Sequence, residues 1–103
     1  MITNPLVTAW NDTHVSHHLS TINIGLLCES NQRRRGGLII NKSRYNLYLF
    51  FGRNPPKHKH DWLEIPYLAN IDIPFHFVGK VWGYWEVTDD SGATIHEFYG
   101  DFN

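Results

Sequence analysis

At 103 residues, 42% hydrophobic and 18% charged, the chain matches one globular domain with its own core rather than a disordered segment. A net charge of −1 excludes a strongly basic or acidic domain, yet it averages an uneven distribution: residues 30–60 carry eight of the nine basic residues and no acidic one, and residues 61–103 carry eight acidic residues against Lys80. The single cysteine, Cys28, excludes an internal disulfide and a CxxC motif, and no apolar run is long enough for a transmembrane helix.

The N-terminal "MITNPLVTAW" has no basic region leading into an apolar core, so a signal peptide is not expected and the expected location is the cytoplasm. Asn4 before Pro5 is a helix-start signal, and Leu6, Trp10 and His14 fall four apart. This predicts a short helix over residues 5–18, against the poor helix formers that crowd the stretch, with an extended arm as the alternative. "STINIGLLCES" predicts a strand over 20–29, with Cys28 as a small buried hydrophobe. "SNQRRRGG" combines turn formers, three charges and two glycines and predicts a loop.

"LIINKSRYNLYLFFG" predicts either one long strand or two short ones flanking residues 41–44, with aromatic residues on both faces and therefore central in its sheet or covered on both sides. "RNPPKHKHD" predicts a loop, because neither proline can donate to a ladder. "WLEIPYL" predicts a short edge strand, the place where Pro66 is tolerated.

The strongest pattern is "IDIPFHFVGKVWGYWEV", residues 71–87. Every second position is apolar or glycine: Ile71, Ile73, Phe75, Phe77, Gly79, Val81, Gly83, Trp85, Val87. A continuous strand of that length would span roughly 55 Å, too long for a domain of this size unless it bends. Pro74, Gly79 and Gly83 are the available bends. The pattern thus predicts a mainly β domain: a strongly curved antiparallel sheet, a half-barrel or small barrel, with the one short N-terminal helix. The odd-numbered face lines its interior, with Phe75, Phe77, Val81, Trp85 and Val87 buried together. "DDSG" predicts the hairpin turn into a last strand over 93–99.

No catalytic motif is present: no GxSxG, HExxH, P-loop or GxGxxG. The candidate ligand-binding residues are aromatic. Phe77 and Trp85 would wall an interior gap at Gly83, and Trp82 and Tyr84 would form a platform on the opposite face if no helix or loop covers them. "NQRRRGG" followed by Tyr45, Tyr48, Phe50 and Phe51 suggests a surface for phosphates and stacked bases, with Arg33, Arg34, Arg35, Lys42 and Arg44 as its cations. "HKHD" offers His58, His60 and Asp61; on an extended chain the two histidines share a side, an incomplete metal site.

The expected function is accordingly a non-catalytic binding module for a small molecule or a protein partner, a second copy of the chain included, with no cofactor and no membrane. Binding of single-stranded nucleic acid through residues 30–60 is the alternative, and a small enzyme with a barrel-type pocket is the second. A short soluble chain with no familiar motif also suits an accessory gene product.

Overall fold

A computed structural model of the chain describes residues 12–100. Among the described residues there are eight strands: β1 (Asp12–Leu19), β2 (Gly25–Cys28), β3 (Arg34–Asn41), β4 (Leu47–Phe51), β5 (Leu63–Ile65), β6 (Asn70–Ile73), β7 (Val81–Trp85) and β8 (Gly92–Tyr99). They form two four-stranded antiparallel sheets, β1-β8-β3-β6 and β2-β7-β4-β5, and neither closes into a barrel. The sheets share one core. Ile39, Ile73 and Ile95 come from the first sheet; Leu27, Leu47, Leu49, Val81 and Trp85 come from the second.

The predicted N-terminal helix is not found where the chain is described. Residues 12–19 are a strand, paired with β8 along all eight positions. The threonine, serine, histidines and β-branched valine of "DTHVSHHL" suit a strand better than a helix, and the ladder to β8 decides the matter. The first part of that predicted helix, with Trp10, lies outside the described residues. Two further boundaries move. The strand predicted over 20–29 contracts to Gly25–Cys28, and the predicted arginine loop is half strand, since β3 begins at Arg34. Residues 38–52 form the two-strand alternative, and the two strands belong to different sheets.

The largest correction concerns residues 71–87. They are two strands, not one: β6 at the edge of the first sheet and β7 inside the second. The break falls at Pro74–Phe77, a four-residue turn in which the Phe77 amide donates to the Pro74 carbonyl (2.9 Å) and His76 takes a left-handed φ of 68°. Alternation survived the break because each strand turns its odd positions to the shared core. It failed at the break itself, where Phe75 is 44% exposed, and beyond the end of β7, where Val87 is 45% exposed. The interior holds no gap at Gly83 either. A Cβ there would meet Leu27 at 2.5 Å and Leu47 at 3.3 Å, so the glycine sits in a filled core.

"DDSG" likewise is no hairpin. β7 and β8 lie in different sheets, and the segment between them crosses from one to the other. Its work is done by Asp89. This carboxylate accepts from the Ser20 hydroxyl (3.0 Å), the Ser43 hydroxyl (3.0 Å), the Arg44 amide (3.1 Å) and the Ser91 amide (3.2 Å). The β1–β2, β3–β4 and β7–β8 connections are thereby tied at one end of the molecule. Partial burial pulls the Asp89 pKa upward, but the Arg44 amide, the two hydroxyls and the Ser91 amide outweigh it and hold the carboxyl at about 2.

A carboxyl depressed in the folded state stabilises above its unfolded pKa of about 3.9. That stability is lost as pH falls through the native value. Urea denaturation should therefore show a loss between about pH 4 and pH 2 that Asp89→Asn abolishes. At pH 7 the same substitution should cost about 1 kcal/mol, modest because water still reaches the carboxylate.

Candidate functional site

The basic segment is not one surface. Arg34 and Arg35 are buried, Arg34 completely. The Arg34 side chain enters the interior because its position in β3 pairs near Glu97 of β8, and its Nε–H donates to Glu97 Oε2 at 3.0 Å. Its other donors reach the carbonyls of Phe77 (3.0 Å), Gly79 (2.8 Å) and Glu29. Arg35 donates to the Gln32 and Arg34 carbonyls. Neither guanidinium is presented to solvent. Arg33, Lys42 and Arg44 are exposed, but Arg33 precedes the start of β3 whereas Lys42 and Arg44 follow its end, roughly 25 Å away along the strand.

The histidine motif is also rearranged. Lys59–Asp61 is a single 3-10 turn, so His58 and His60 do not sit on the extended chain their pairing required. Both are exposed with Asp61. Among the described residues no group of three or more His, Cys, Asp or Glu side chains could hold a metal ion.

The aromatic residues divide by face. Trp85 points inward, is fully buried, and donates its indole N–H to Asn41 Oδ1 at 3.1 Å. Phe77 is half-buried, edge-on to Phe51 at 5.5 Å between ring centres. Neither walls an internal cavity. Trp82 and Tyr84 point outward and are half-buried. The loop between β4 and β5 folds over this face, so a loop does part of the covering anticipated for it. Trp62 stands edge-on to Tyr84 (5.0 Å) and donates its N–H to the Pro56 carbonyl (3.1 Å). Tyr84 stacks on Tyr48 at 5.0 Å, whose hydroxyl donates to Glu86 (2.8 Å). Tyr84 is thus engaged in packing.

Trp82 lies at the margin of that cover, beside a different feature. At the end of the molecule where β3 begins and β4 ends, a pocket of about 440 Å³ is lined by Ser30, Gln32, Gly52, Arg53, Phe77, Val78, Gly79 and Lys80. Three connections build it, and hydrogen bonds lace them together. The Asn31 amide donates to the Val78 carbonyl (2.8 Å), the Gly52 amide to the Lys80 carbonyl (3.0 Å), and the Trp82 indole to the Gly52 carbonyl (3.0 Å). Arg34 holds the Phe77 and Gly79 carbonyls from behind. The pocket is consequently preformed. Among the described residues its ionisable lining is two cations, Arg53 and Lys80, with no carboxylate; Ser30 and Gln32 add neutral polar groups and Phe77 an apolar one. The Lys80 ammonium lies 5.8 Å from the Trp82 ring centre.

Of these residues the sequence marks Phe77 and Trp82 as candidate ligand-binding residues and Gly79 only as a bend. Arg53 stood in the basic segment, and Lys80 stood out as the lone cation of an acidic half. No local signal marks Ser30 or Gln32, which reach the pocket only through the fold.

A second cleft of about 310 Å³ opens between the edges of β1 and β2, lined in part by His14, His18, Cys28, Glu97 and Tyr99. Burial, then the charge of Glu97, raise the Cys28 thiol to about 12. Burial and a hydrogen bond to Glu97 raise Tyr99 to about 12 as well, and burial lowers His18. At neutral pH the cleft presents a thiol and a phenol that both keep their protons, so Cys28 is no thiolate nucleophile.

No protein-family model, curated protein or solved structure matches the chain. Among the described residues no helix is long and apolar enough to cross a membrane.

Proposed function

We propose that the chain is a non-catalytic binding module whose end pocket takes a small anionic molecule, with the Trp82 ring alongside. The observation that carries this reading is the preformed pocket with Arg53 and Lys80 as its only ionisable lining among the described residues. Two cations on adjacent connections, with no carboxylate among the described lining residues to neutralise them, favour phosphate or carboxylate groups. Phe77 and the adjacent Trp82 suit an apolar or aromatic body attached to the anionic group.

Calorimetric titration with inorganic phosphate, citrate and AMP at low salt tests the reading. AMP should bind more tightly than phosphate, and its affinity should fall as salt is raised. Arg53→Ala and Lys80→Ala should each weaken binding by about tenfold, the loss of one hydrogen bond to a charged group. Neither should disturb folding, since both cations lie at the surface of the pocket. An absence of heat for all three anions would overturn the proposal.

A further inference from the structure

Each sheet has two edges, and three of the four are protected against further pairing. β5 has three residues and runs into Pro66; β6 has four and runs into Pro74; β2 has four and carries a register slip between Leu26 and Cys28. Shortness, proline and bulges are the devices that stop an edge from recruiting another strand. β1 has none of them. It is eight residues long, without proline, glycine, lysine or arginine, and its ladder to β8 is regular throughout. Among the described residues nothing pairs with its outer edge.

We infer that β1 is a self-association edge, at which two copies of the chain pair antiparallel about a two-fold axis and join their first sheets into one of eight strands. The sequence of β1 selects both the occupant and the register. A continuous sheet keeps each face on its own side, so a residue can oppose only one of the same parity. Setting Val15 against its own copy opposes Asp12 to His18, Thr13 to His17 and His14 to Ser16, each twice. The neighbouring permitted registers oppose His14 to His18, which leaves Asp12 opposite Ser20 beyond the end of β1, or His14 to itself, which leaves Asp12 opposite Ser16. The Thr13-centred register sets Asp12 against His14 but pairs only three residues of each β1; of the registers that pair five or more, the Val15-centred one alone gives each carboxylate of Asp12, the one acidic group in β1, an imidazole partner on the other copy. Val15 and Leu19, 44% and 75% exposed on the outer face, gain cover from the joined sheet. Such an isologous contact is small, so the dimer is weak and concentration-dependent.

Sedimentation velocity over a concentration series tests this. The wild-type chain should shift from monomer to dimer as concentration rises. His18→Asp places two like-charged pairs in the interface and should raise the dissociation constant by about tenfold. Adding Asp12→Lys should restore it to near the wild-type value. Within one copy these residues are six positions apart on a strand, roughly 20 Å, so they cannot compensate one another except across the interface. Val15→Lys, at an exposed position, sets two ammonium groups on the axis and should weaken the dimer as much while leaving thermal unfolding of the monomer unchanged. A wild-type chain that stays monomeric throughout, or a double variant no tighter than His18→Asp alone, would overturn the inference.

Discussion

Replacing Arg34 by methionine will cost about 3–5 kcal/mol of folding stability, because it leaves the buried Glu97 carboxylate without its partner. The effect will exceed that of any exposed arginine. Arg44→Ala, at an exposed position beyond the other end of β3, should stay within about 0.5 kcal/mol. The reason lies in what the guanidinium holds. It pairs with Glu97 and donates to the carbonyls of Glu29, Phe77 and Gly79, all from a fully buried position. Two of those carbonyls belong to the pocket wall. Loss of Arg34 should therefore reduce anion binding in whatever fraction of the protein still folds, through loosened walls rather than a lost contact. Glu97→Leu in the same chain should recover part of the stability by removing the stranded carboxylate, but not all, because the three carbonyls still lose their donor. Guanidinium chloride denaturation of the single and double variants measures both effects. A single-variant loss below about 1 kcal/mol would show that the interior carries the charge without needing its partner.

Trp85→Ala should cost a similar ~3–5 kcal/mol. Trp85 has no exposed surface and lies at the centre of the shared core, in register with Leu47. Its indole N–H donates to Asn41 Oδ1, and Asn41 in turn donates to the carbonyls of Tyr45 and Ile65. The substitution therefore opens a cavity and also removes a donor from a buried amide that organises the β3–β4 turn. Trp85→Phe separates the two contributions, since it keeps most of the volume and loses only the hydrogen bond; its cost should be about 1–2 kcal/mol. Thermal unfolding of the three proteins gives the comparison. Equal losses for Ala and Phe would assign the whole effect to the hydrogen bond.

Much of the strand content was determined locally. Alternation in 45–51 and 81–85, the prolines of 52–61, and Pro66 after a short apolar run each encode their own element, because side chains on a strand change face with every residue and a proline cannot donate to a ladder. The inward direction of Val81, Gly83 and Trp85 followed from the same period. The aromatic character of the outer face was also legible, though not how far the loop carrying Trp62 would cover it.

Partner and sheet were decided only by the tertiary structure. Period-2 spacing says which side a residue takes, not which strand lies beside it, so residues 71–73 and 81–85 matched in pattern yet entered different sheets. The helix reading at residues 12–18 failed for a related reason. Propensity there was weak, and the ladder to β8, more than seventy residues away, supplied the hydrogen bonds that settled the conformation. Arg34 and Arg35 look in sequence like Arg33, three cations in a row. Only Glu97 and a set of carbonyls from distant loops make burial of Arg34 affordable, and burial removes two of the three charges from the surface. The candidate pocket is the extreme case: Ser30, Arg53 and Lys80 come from three separate connections, and a site assembled from loops has no period for a sequence to reveal.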